Sequence, residues 1–172
     1  MSGEEAHERS WRIPSQNGWF ECVATLLDRP TPECFLAAVR VTEMFWDRRD
    51  EVKDAPYSNL VTEQVTSLEQ VVISRARLTS LHRKLEEWQS EPSEVDEELS
   101  DNVGATLRLS IGDSDDKITT RHKPALALRY EHASTSMSWQ AVLDPTCIRE
   151  LSEGIATWLE ESGQGRTDGD AT

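Results

Sequence analysis

The residue best placed for nucleophilic chemistry is Cys147. It stands about three residues into a helix that starts at Asp144-Pro145, an N-cap aspartate followed by proline at the first helical position. The positive end of a helix dipole lowers a thiol pKa. A nucleophile also needs a positioned base and an oxyanion site, and no GxSxG-like turn or Cys/His signature accompanies this cysteine. A packing thiol is the competing reading, and it asks for nothing further. The turn DSDDK starts like a calcium loop, with Asp113 and Asp115 at the first and third positions. Ile118 then stands where the sharp-turn glycine belongs and Pro124 where a bidentate glutamate belongs, so a hairpin tip fits better. His122, between Arg121 and Lys123, has no other His or Cys at metal-ligand spacing. Neither GxGxxG nor GxxxxGK[ST] occurs. The sequence therefore predicts no catalytic residues, no cofactor and no metal, and leaves function to charge and architecture.

The charge is lopsided. The chain of 172 residues carries 32 acids against 18 bases, a formal net charge of -14. Such a balance repels phosphate backbones and anionic lipid, which argues against nucleic-acid or membrane partners and for a cationic protein. Between Glu91 and Asp116 nine acids face the single cation Arg108. Glu94, Asp96, Glu97, Glu98 and Asp101 form one cluster, in SEPSEVDEELSDN, and Asp113, Asp115 and Asp116 a second. If the strand from Ala105 to Ile111 joins the two, they lie at its opposite ends, roughly 20 to 25 Å apart at about 3.4 Å per residue. These eight carboxylates are the candidate partner-binding residues. Two solvated loops that serve solubility are the competing reading.

No stretch approaches the ~20 apolar residues of a bilayer span, and the polar start MSGEEAHERSW lacks the basic and apolar regions of a secretory leader, so a cytoplasmic protein is expected. Cys22, Cys34 and Cys147 are odd in number and lie in apolar elements, as reduced core thiols do. Trp11 and Trp46 fall outside the strongest periodic faces. They are candidates for exposed interface anchors or for core-edge residues.

The elements that position these groups follow from periodicity. After the turn pair Asn17-Gly18, Phe20, Cys22, Ala24 and Leu26 share one side at period two, and beyond DRPTPE so do Phe35, Ala37, Val39 and Val41. That predicts an antiparallel hairpin, with a helix from Phe35 as the alternative. Residues 46–65 give no clear pattern. LEQVVIS reads as a short strand, Leu68 to Ser74, running into an amphipathic helix marked by Leu78, Leu81, Leu85 and Trp88 and stopped by Pro92. Three further strands follow, carrying Ala105, Leu107, Leu109 and Ile111, then Leu126, Leu128 and Tyr130, then Met137, Trp139, Ala141 and Leu143, linked as a meander. The last helix buries Ile148, Leu151, Ile155, Trp158 and Leu159. One-faced strands with two one-faced helices predict an α+β fold, a mainly antiparallel sheet with both helices on one face. The expected organisation is a flexible tail over 1–16, one domain over 17–162 and a second flexible tail over 163–172. No internal repeat is visible.

The order of these motifs, from a first strand pair through LTSLHRKLEEW, ATLRLSI and RHKPALALRYE to SWQAVLDPTCIRELSEGIATWL, resembles the WapI-like immunity proteins of bacterial polymorphic toxin systems over roughly Trp19 to Leu159. The resemblance implies a small cytosolic protein, not an enzyme, that binds and neutralises a cognate toxin domain by occluding it. A basic toxin would meet the acidic clusters in place of phosphates. An acidic secretion chaperone or adaptor, self-associating through a helix face, is the alternative. An enzyme of unrecognised type would reveal itself by a deep pocket with convergent polar groups.

Overall fold

The computed structural model describes residues 10–15, 19–46, 61–100, 105–113 and 124–170. Strands β2 (Phe20–Thr31) and β3 (Cys34–Trp46) form the expected antiparallel hairpin, with Thr31 opposite Cys34 at its tip. Phe20, Cys22, Ala24 and Leu26 face Phe35, Ala37, Val39 and Val41 on the buried side. Phe35 thus opens a strand and not a helix, as its β-branched and aromatic neighbours favour.

Three expectations are corrected. Ser10–Pro14, placed in a flexible tail over 1–16, is strand β1, paired antiparallel with β2 through Trp11↔Ala24 and Ile13↔Cys22. Trp11 and Ile13 are both buried, so Trp11 is a core residue and no interface anchor; the side chain of Trp46 lies outside the described set. The short strand at Leu68–Ser74 is the end of a longer one, β4 (Val61–Ser74), whose first half pairs with β3 while Glu63, Gln64 and Val65 stay exposed. At the other terminus the last helix continues to Asp170, past the boundary expected at 162.

Helix α1 (Arg75–Ser90) starts directly from β4. Ser74 caps it by accepting from the Arg77 amide, and Leu78, Leu81, Leu85 and Trp88 are buried as their spacing predicts. The second group of strands is β5 (Val95–Glu98), β6 (Ala105–Asp113), β7 (Pro124–His132) and β8 (Thr135–Val142), all antiparallel, followed by helix α2 (Pro145–Asp170). Asp144 Oδ1 accepts from the amide and hydroxyl of Thr146 at 2.9 Å, which makes it the N-cap the sequence implies.

The fold is α+β, and its strands form two four-stranded antiparallel sheets, β1-β2-β3-β4 and β5-β6-β7-β8. Among the described residues each is followed by a helix, so the order of these elements repeats where the residues do not. The sheets touch edge to edge at one bridge, Ile73↔Ser100, with the Ser74 amide donating to the Leu99 carbonyl at 2.9 Å. Both sheets and both helices contribute to one hydrophobic core. Within it Trp158 of α2 lies tilted against Trp11 and Phe35, each 5.7 Å away, and Ser152 donates to Glu86 to tie the helices together. Glu43 on β3 accepts a hydrogen bond from Trp139 on β8.

Candidate functional site

Pro92 prevents α1 from continuing, and the chain that follows alternates Val95, Glu97, Leu99 against Asp96, Glu98. The first set points inward. Pairing of Val95 with Ile111, Asp96 with Ser110, Glu97 with Leu109 and Glu98 with Arg108 makes this stretch a strand lying along β6. The acidic segment is therefore part of the sheet, and the expected separation of its cluster from the one at Asp113 is corrected. Antiparallel pairing folds Glu94 back beside the far end of β6, where Pro92, Ser93, Glu94 and Gly112 line a shallow cleft of about 420 Å³.

The eight candidate carboxylates have different fates. Glu97 takes a core position and is only 7% exposed. A carboxylate removed from water needs compensating donors, and α1 supplies them. Ser80 Oγ donates to it at 2.9 Å, Lys84 Nζ at 2.7 Å, and Arg77 lies 3.7 Å away. The same Lys84 ammonium donates to the Asp96 carbonyl at 2.9 Å and so clamps two consecutive residues of β5. Asp96 accepts from Arg108 Nε at 2.7 Å, from Arg108 Nη2, and from Ser110 Oγ at 2.8 Å. The Arg108 hydrogen bonds, with help from Ser110, hold its carboxyl down at about 2. Glu94 and Glu98 remain exposed, Glu98 within the electrostatic reach of Arg108. Asp113 closes β6 opposite Pro124, while Asp101, Asp115 and Asp116 lie outside the described residues, as does His122.

The structure thus separates one anchoring carboxylate, one ion-paired carboxylate and two displayed ones inside a run that reads as uniformly acidic. The signal for Glu97 was present: Val95, Glu97 and Leu99 share a period-two face bounded by apolar residues, and a basic residue waits on α1 at Lys84.

The thiols point away from nucleophilic chemistry. Burial pushes the Cys147 thiol up, outweighing a hydrogen bond from the Asp144 main chain, and burial takes Cys22 up to about 12. Cys22 and Cys147 are both free thiols. Among the described residues no group of three or more His, Cys, Asp or Glu side chains is arranged to hold a metal ion, and no helix is long and apolar enough to cross a membrane. A cavity of about 430 Å³ on the β2-β3-β4 sheet brings Arg40 and Glu69 together with Thr25 and Ser67, but no histidine or cysteine lines it. No family model matches the chain, and neither a curated protein nor a solved structure is significantly similar to it.

Proposed function

We propose that this chain is a protein-binding module of the immunity type, which neutralises a basic toxin domain in the cytoplasm by covering its active site or an adjoining surface. The observation that carries this reading is the anchoring of β5. Glu97, held by Ser80 and Lys84, fixes the acidic segment as a strand, so Glu98 is presented from a rigid element and Glu94 from the residue that leads into it. Displayed carboxylates on or beside a preorganised strand lose little freedom on binding, and in a chain of charge -14 they attract a cationic partner over long range. The mechanism requires no turnover. The carboxylates occupy sites on the toxin that would otherwise receive phosphate, and apolar and main-chain contacts around them supply residence time.

Growth rescue tests the reading. The gene immediately upstream is expected to encode a protein ending in a toxin domain, and co-expression of this chain is expected to restore growth to cells making that domain. Purified together, the two should elute as one complex of equal stoichiometry. Toxicity that is unchanged by co-expression overturns the proposal.

A further inference from the structure

The longest run without Asp, Glu, Lys or Arg in the chain is His132 to Leu143, HASTSMSWQAVL, in a protein of which 29% is charged. It coincides with β8, the last strand of its sheet. The Leu143 amide donates to the Pro124 carbonyl at 2.8 Å, and Val142 stands opposite Ala125. Hydrogen-bonded positions alternate in an antiparallel pair. Thr135, Met137, Trp139 and Ala141 therefore bond to β7, and Ser136, Ser138, Gln140 and Val142 direct their amides and carbonyls away from it. All four are exposed, Val142 at 43%. Among the described residues no strand accepts these groups.

Sheet edges are ordinarily protected by charge, proline or a bulge. The others here are: β1 carries Arg12 and Pro14, β4 carries Glu63 and Glu69, and β5 is acidic. On β8 none of these devices is present, and its register with β7 runs without a break from Val142 to Thr135.

We propose that β8 is a self-association edge, on which a second copy of this chain adds its own β8 antiparallel across a two-fold axis to continue the sheet. Residues near such an axis meet their own copies, so any charge there would face its like. A strand with no charge satisfies that condition in every register. An edge built for a basic partner would instead carry acids, as β5 does. The neighbouring pair Arg129 and Glu131 on β7, 3.9 Å apart, adds no net charge beside the axis. The remainder of each copy is strongly acidic, so salt should strengthen this association by screening, whereas it weakens the approach of a basic toxin. This inference does not depend on the immunity reading.

The test is sedimentation equilibrium of the full chain from about 1 μM to about 300 μM, the range suited to a small interface. The mass is expected to rise from 19.5 kDa toward twice that value, and further at higher salt. Amide exchange at Ser136, Ser138, Gln140 and Val142 should slow with concentration. Ser138→Lys brings a cation from each copy close to the axis and should weaken dimerisation about tenfold or more. Gln140→Pro removes only an outward amide, so the β7 ladder survives and the dimer is lost. A chain that stays monomeric throughout, including one whose edge is taken only by a strand of another protein, overturns the proposal. So does a dimer that both variants leave intact.

Discussion

A Cβ added to Gly154 would lie 2.5 Å from the Cβ of Trp11 and 3.2 Å from its Cα. Helix α2 approaches β1 so closely that only glycine fits, and this contact helps to make residues Ser10–Pro14 part of the fold. Trp11 Cβ sits next to the main chain and cannot yield unless β1 shifts. Gly154→Ala should therefore destabilise the protein by about 1–2 kcal/mol, the overpacking cost exceeding the ~1 kcal/mol gain in helix propensity. Urea unfolding at constant m-value measures it. Gly112→Ala is the control, since nothing lies within 4 Å of its added carbon. An unchanged or raised midpoint for Gly154→Ala would show that β1 is not held there.

Glu97 is expected to act on stability and not on recognition. Glu97→Gln keeps the shape but removes the charge that meets Lys84, and should cost roughly 1–3 kcal/mol while leaving partner association unchanged once the protein is folded. Lys84 is about one-third exposed and can recover water, which keeps the loss below that of a fully buried pair. A double-mutant cycle with Lys84→Met should show a coupling of roughly 1–3 kcal/mol. Additive effects would mean that the 2.7 Å contact contributes nothing specific.

Much of this architecture was legible in the residues because most strands bury one face and expose the other. The alternations starting at Phe20, Phe35 and Ala105, and the stripe Leu78, Leu81, Leu85, Trp88, all fall where burial puts them. Three features were illegible for separate reasons. β1 is five residues long with one charged and one proline position, too short for a period to show. Glu63, Gln64 and Val65 in the first half of β4 are exposed, so main-chain pairing with β3 holds this part and no apolar face marks it. At the acidic segment the density of charge concealed an alternation of only three inward residues, and the helix donors that make Glu97 tolerable come from a different element. The acidic segment was therefore legible as a run of charge, but its division into anchoring and displayed carboxylates needed the pairing with β6 and α1.

Asp96 gives the acid limb a specific contribution. Its folded pKa of about 2 lies below the ordinary 3.8, so the folded state binds its proton less readily than the unfolded chain. The stabilisation is present above about pH 4 and is lost as pH falls from there toward 2. Asp96→Asn should remove this pH dependence, so that wild-type and variant urea midpoints converge across that window. The effect is modest because both partners are well exposed and screened. Glu43 works in the opposite sense. Burial raises its carboxyl despite the Trp139 hydrogen bond, so its protonation on acidification favours the folded state. A midpoint difference for Asp96→Asn that stays constant from pH 5 to about 2 would remove the Arg108 pair from the account.

The displayed carboxylates Glu94 and Glu98 should control how fast the partner arrives. Both are exposed, neither anchors β5, and their replacement by glutamine leaves the Glu97 and Asp96 networks in place. Long-range attraction acts before contact, so the double variant should associate with a basic toxin domain about 3- to 10-fold more slowly at low ionic strength, with dissociation changed by less than about twofold. Charges at the surface are screened over about 8 Å at physiological salt, so raising salt should slow the native protein more than the variant until their rates meet. Stopped-flow mixing over a salt series reads both effects at once. If these residues serve only solubility, the variant will precipitate more readily yet associate as fast as the native protein at low salt, and the steering role is then rejected.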